Sequence, residues 1–162
     1  MSPEPSAVHP EPIAGVRTQR LRAIPDERGR LVELYSEGSD LFVGFAHSYV
    51  TTAYAGVVKA WHLHREQIDN MAAVHGMVKL VLFDGRPDSP THGRVNELFI
   101  GHHNPMLVQI PCGVFHGFKA IGGVEALVIN FPSRAYRHDD PDEIRIPPDH
   151  PSIPYDWDRR DG

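Results

Sequence analysis

With one cysteine, Cys112, in 162 residues, the chain cannot form an internal disulfide, and it suits a reducing cytoplasm. No apolar run approaches the roughly 20 residues of a membrane-spanning helix. The opening Met-Ser-Pro-Glu-Pro-Ser has no basic segment followed by an apolar one, so no signal peptide is expected. Cationic excess is missing too. Sixteen Lys and Arg against 21 Asp and Glu give a net charge of −5, which provides no footprint for nucleic acid or an anionic membrane. Nor is there a run of about ten residues with an apolar period of 3.6, which excludes a helical bundle.

The chain instead contains many short apolar stretches punctuated by Gly, Pro, Asn and Asp, the pattern of an all-β sandwich or small barrel. A hydrophobic share of 41% is enough for one core, and no repeat or linker divides it. Residues 1–14, rich in Pro, Glu and Ser, read as a flexible N-terminal arm before a single domain over 15–162. Strands are predicted over 16–22, 30–35, 41–50, 53–64, 77–83, 96–100, 106–110 and 124–130. Residues 86–93 read as a polar loop, Gly122-Gly123 as a hairpin turn, and His102-His103 as a turn before Asn104-Pro105. From Phe131 the chain is rich in Pro and Asp, and it reads as a tail wrapped around Tyr136, Tyr155 and Trp157.

Of the eleven histidines, His9 and His138 lie in Pro-rich or acidic surroundings and read as solvated. Others point to chemistry. His62 and His64, two apart in a β-prone run, share one face of a strand because side chains alternate with period 2. Asp69 follows five residues later, and Pro111-Cys-Gly113-Val-Phe-His116 supplies a third imidazole. Such a cluster suits proton transfer, with an imidazole as base near neutral pH. It also suits one divalent transition metal (Zn, Fe, Mn, Ni or Cu) held by His62, His64, Asp69 and His116. Trp61 and Leu63 take the opposite strand face, where they are expected to pack between sheets at a subunit contact. Glu66 is expected to face solvent, and Cys112 to be a small turn residue rather than a nucleophile.

The spacing Gly56-x5-His62-x-His64-x4-Asp69-x6-Gly76 resembles the first cupin motif, with Asp in the place of its usual Glu. Pro111-x-Gly113-x-x-His116 resembles the core of the second. This likeness implies an all-β cupin, a double-stranded β-helix or jelly-roll barrel with a Pro-rich C-terminal tail. Among cupins the chain resembles the dTDP-4-dehydrorhamnose 3,5-epimerase family over roughly residues 17–157. Asp26-Glu-Arg-Gly29, Lys59-Ala-Trp-His62, Ser89-Pro-Thr-His-Gly93 and Ile110-Pro-Cys-Gly-Val-Phe-His-Gly-Phe118 carry the likeness.

The resemblance implies an isomerase or epimerase of a keto-sugar, nucleotide-linked and of the dTDP-4-keto-6-deoxyhexose type. It needs no cofactor and pairs as a homodimer whose N-terminal strand crosses to the partner. His62 and His116 are the implied catalytic residues, His62 as base. Arg28, Glu33, Lys59, His64 and Tyr136 are the implied substrate contacts, with Arg28 and Lys59 on the diphosphate. Arg28 and Glu33 read equally well as a surface salt bridge. The chain also departs from the family. His64 replaces a Gln, Asp69 falls near a family lysine, and the proton-donating tyrosine would fall near Val128. The family's acid that orients the base lies in a C-terminal region without an evident counterpart. Tyr49, Tyr54 and Tyr136 are the candidates to return a proton. Two other readings stand beside this one: a metal-dependent cupin lyase, isomerase or dioxygenase acting on a small natural product or sugar, and a non-catalytic sugar-binding cupin.

Overall fold

Twelve short strands joined by turns account for the architecture of residues 8–161, the part that the computed structural model describes. No helix occurs among the described residues. One five-stranded antiparallel sheet has the order β1 (Arg17–Arg20), β9 (Met106–Ile110), β6 (Asp69–His75), β11 (Ala126–Asn130), β4 (Tyr49–Ala53). The second runs β12 (Glu143–Arg145), β5 (Val58–His64), β10 (Val114–Ile121), β7 (Met77–Asp84), β8 (Val95–Gly101). A separate two-stranded hairpin joins β2 (Ala23–Asp26) to β3 (Gly29–Val32).

The inner faces of the two large sheets meet over Val78, Leu80, Leu82, Ile100, Val108, Ile110, Phe118 and Val128, all buried in one cluster. Alternation supplies this core: in β7 the even positions 78, 80 and 82 point inward. Val81, one step out of phase, joins a second cluster on the outer face with Trp61, Ile153, Tyr155 and Trp157. The C-terminal tail therefore covers the outside of the second sheet, as its aromatic content led us to expect. Two lysines fasten it there. Lys79 Nζ donates to the carbonyls of Trp157 and Asp158 at 3.1 and 3.2 Å, and Lys119 Nζ to that of Trp157 at 2.9 Å.

The structure corrects several expectations. Trp61 is fully buried beneath its own chain's tail, with Nε1 donating to the Pro148 carbonyl at 3.3 Å, so it forms no subunit contact. Tyr136 stays out of that packing and is half exposed. The loose arm expected over 1–14 is tied down from Val8 onward, while residues 1–7 lie outside the described residues. Val8 bridges Val95, Asn96 Nδ2 donates to the carbonyls of His9 and Glu11, and Ile13 is 1% exposed. Most of 41–50 is loop, and a turn closed by Val57 N donating to Tyr54 O at 3.0 Å splits 53–64. β10 is a strand that patterning missed, because Gly117 interrupts it. That glycine lets β10 approach β5 closely: a Cβ there would lie 2.3 Å from Ala60 Cβ.

Candidate active site

The second sheet delivers three imidazoles to one place. β5 presents His62 and His64 on its inner face, and His116 of β10 lies opposite His62 in the antiparallel register. The facing sheet contributes Asp69, the first residue of β6, which is 2% exposed. These groups border a cavity of about 820 Å³ whose wall also includes Tyr49, Lys59, Asn130, Tyr136 and Glu143.

Asp69 is the centre of a fully partnered network. His116 Nε2 lies 3.1 Å from Asp69 Oδ2, and His64 Nε2 lies 3.4 Å from the same oxygen. Gln67 Nε2 and Asn130 Nδ2 donate to Oδ1 at 2.7 and 2.8 Å. Burial alone would push this carboxyl up, but the His116 hydrogen bond, the His116 and His64 charges and the Asn130 amide together hold it well below the usual carboxylate range. His64 is held from behind, its Nδ1 2.8 Å from the Asp142 carbonyl. The Asp142 carboxylate in turn accepts the backbone N–H groups of Arg65, Glu66 and Gln67, which fixes the loop between β5 and β6.

His62 stands apart from this network and opens onto the cavity. Burial, followed by the neighbouring His116 charge, lowers its pKa to about 4, so at neutral pH the imidazole carries a free lone pair. Glu143 opposes that shift. Its Oε1 lies 3.9 Å from His62 Nε2, while Arg145 Nε donates to Oε2 of the same carboxylate at 2.7 Å. An acid from the C-terminal part of the chain does therefore reach His62, contrary to the expectation that none would. Sequence reasoning overlooked Glu143, Gln67, Asn130 and Asp142. The one local signal for Glu143 was a Glu-Ile-Arg alternation between Pro141 and Pro147, and no spacing rule connects it to β5.

The other expected site residues divide into two groups. Lys59 borders the cavity, with Nζ donating to Thr51 Oγ1 at 3.0 Å, and Tyr136 sits at the cavity wall against His138. Arg28 and Glu33 do not border the cavity of their own chain, and Arg28 pairs with Asp26 across the β2–β3 turn rather than with Glu33. Cys112 is a turn residue whose thiol faces the Gln67 carbonyl at 3.4 Å, and burial pushes its pKa up, which disfavours a thiolate. Of the four proposed metal ligands, the donor atoms of His64, Asp69 and His116 lie within 4.8 Å of one another, and His62 does not join that group. Gln67 and Asn130 also contact this trio, Gln67 Nε2 lying 3.3 Å from His64 Nε2 and both amides donating to Asp69 Oδ1.

A two-sheet β-barrel with a neutral imidazole on the wall of its cavity is a cupin suited to moving protons. The chain belongs to the dTDP-4-dehydrorhamnose 3,5-epimerase family, whose profile matches residues 10–161, and it is an enzyme of the sugar epimerase or isomerase kind. It is 43% identical to the probable low-salt glycan biosynthesis epimerase Agl13 of Haloferax volcanii, over 90% of this chain and 94% of that one. It is 37% identical to the spore coat polysaccharide biosynthesis protein SpsL of Bacillus subtilis, over 90% and 96% respectively. The crystal structure of a dTDP sugar isomerase from Desulfovibrio desulfuricans G20 superposes with a TM-score of 0.86 at 34% identity, covering 90% of this chain and 92% of the other.

Proposed function

We propose that the chain epimerises a 4-keto-6-deoxyhexose carried on a nucleoside diphosphate of the dTDP type, using His62 as the base. The observation that carries this reading is an imidazole kept neutral at pH 7 on the wall of a cavity of about 820 Å³. A ring proton next to a ketone is acidified by the carbonyl, and a neutral imidazole accepts it. His116, one strand over and pinned by Asp69, supports the charge that develops on the ketone oxygen. Glu143 stabilises the imidazolium once His62 has taken the proton. Lys59 and Arg145 are the cations available to the diphosphate, while Tyr136 and His64 shape the sugar end. The names of two relatives refer to glycan or polysaccharide biosynthesis, and we assign this chain to the same use.

We further infer that the working unit is a homodimer. The β2–β3 hairpin is a two-stranded sheet that exposes Ile24 at 49% and Leu31 at 63%, and so small a sheet has little stability uncovered. A second copy covering it would carry Arg28 and Glu33 towards that copy's cavity. The lone cysteine supports a cytoplasmic setting, and no helix of the described residues is long and apolar enough to cross a membrane.

The reaction proceeds on this reading without a resident metal, because proton transfer between the His62 imidazole and a carbon next to a ketone requires none. The deciding experiment incubates the purified protein with a dTDP-4-keto-6-deoxyhexose in deuterated water. Deuterium is expected next to the ketone, and it is lost in His62→Ala. Absence of uptake by the wild-type protein overturns the proposal. Elemental analysis of protein purified without a nickel column tests the metal statement, and stoichiometric metal overturns it.

A further inference from the structure

Epimerisation needs two proton-transferring groups on opposite faces of one carbon, and His62 supplies only one of them. We propose that Tyr49 is the acid that returns the proton on the face opposite His62. This inference rests on the base role of His62.

Geometry selects Tyr49 from the five tyrosines of the chain. Tyr35 spends its hydroxyl on the Gly44 carbonyl at 2.9 Å, and Tyr155 donates to Glu97 on the outer face of the second sheet. Tyr54 is 75% exposed and lies off the cavity, while Tyr136 borders the cavity from the segment between β11 and β12 and not from the sheet that faces His62. Tyr49 belongs to β4, in the sheet that faces His62, and it borders the same cavity.

The hydrogen bonds around Asn130 also leave the Tyr49 proton free. Asn130 Oδ1 accepts Asn70 N–H at 3.0 Å, which fixes the orientation of the amide. Both Nδ2 hydrogens are then committed, one to Asp69 Oδ1 at 2.8 Å and one to the Tyr49 oxygen at 2.9 Å. The phenolic oxygen is thus an acceptor within the protein, and no group among the described residues takes its own O–H. That hydrogen is left available to whatever occupies the cavity. Partial burial, followed by the Asp69 charge, raises the phenol above its ordinary value and keeps the proton in place until a strong base such as an enolate carbon calls for it.

The step balances. The C–H bond next to the ketone breaks, its proton goes to His62 and its electrons form the enolate. The Tyr49 O–H then breaks, and its proton forms the new C–H bond on the opposite face as the enolate reverts to ketone. Phenolate and imidazolium are reset by exchange with water.

The test compares wild type, Tyr49→Phe, Tyr136→Phe and His62→Ala on a dTDP-4-keto-6-deoxyhexose in deuterated water, following deuterium uptake and epimer formation separately. Tyr49→Phe is expected to keep uptake within a few-fold of wild type, because His62 still exchanges its own face, while epimer formation falls by about 100-fold or more. Tyr136→Phe, which alters the sugar end of the cavity, is expected to change uptake and epimer formation alike and so to keep their ratio. Should Tyr49→Phe fold poorly, 3-fluorotyrosine at position 49 replaces it, with the basic limb of the kcat profile moving to lower pH. Undiminished epimer formation in Tyr49→Phe, uptake lost together with product, or an unmoved basic limb overturns the assignment of Tyr49. Absence of uptake by wild type overturns the His62 reading and this one with it.

Discussion

Asp69 Oδ2 sits 3.1 Å from His116 Nε2 at the point where the two sheets of the barrel meet, and it joins a residue of β6 to one of β10. The carboxylate cannot be made neutral without breaking the arrangement, since four side chains are directed at its two oxygens. In Asp69→Asn, one oxygen becomes an amide that donates towards imidazoles which themselves require an acceptor. The variant should lose about 1 to 3 kcal/mol, read from its urea unfolding midpoint against wild type. Wild-type stability in Asp69→Asn would mean that the network is not formed in solution.

The pH dependence follows from His62. Its folded pKa of about 4 lies below the ordinary 6.5, so the unfolded chain binds more protons between those values. Stability should therefore fall as the pH drops through that window, and His62→Asn should flatten the slope in urea titrations. In kcat/KM the acid limb should appear near pH 4. Glu143 raises His62 against its burial, so Glu143→Gln should move the limb lower still and weaken the base, reducing kcat by about 10-fold. A limb near 6.5 in wild type would show that His62 is not the titrating base.

Trp61 connects β5, the strand that carries His62, to the tail. It fills the space between β5 and Tyr155 and Trp157, with ring centroids 6.0 and 5.0 Å away. Trp61→Ala should cost about 3 to 5 kcal/mol through the cavity it leaves. It should also free the tail, which limited proteolysis would report as early cleavage after residue 150. The substitution lies one residue from His62, so recovery of folding at low temperature without recovery of activity would confirm that the tail supports the base.

Much of this could be read along the chain. Period-2 spacing put His62 and His64 on one face, motif spacing brought Asp69 and His116 to them, and turn residues marked an all-β barrel. Other parts depended on contacts distant in sequence. Glu143 reaches His62 because a three-residue strand pairs with β5 far along the chain, and the role of Asn130 lies in which way its amide faces. Trp61 misled in a different way: a large apolar residue on an outer strand face suits a partner subunit or the chain's own tail equally well, and only the packing of Tyr155 and Trp157 distinguishes the two. Arg28 could be found as a motif but not placed, because the hairpin that carries it forms a sheet of its own and turns Arg28 onto Asp26.

Gly117 sets how closely β10 can lie against β5. The register between the two strands shifts between His116 and Phe118, and a Cβ at 117 would come within 2.8 Å of Ala60 Cα and 3.0 Å of the Lys59 carbonyl. Backbone atoms cannot swing aside as a side-chain end can, so Gly117→Ala must push the strands apart. The separation falls between His116 and Lys59, on the wall that carries the proposed base. We expect a loss of about 1 to 3 kcal/mol from overpacking, with a larger fall in kcat than in substrate binding because imidazole positions matter most in the transition state. Ala60→Gly in the same chain removes the 2.3 Å contact with the Ala60 Cβ but leaves those with the backbone, so it should recover part of both. If the double variant stays as impaired as Gly117→Ala alone, the close approach of these two strands is not what aligns His62 with His116.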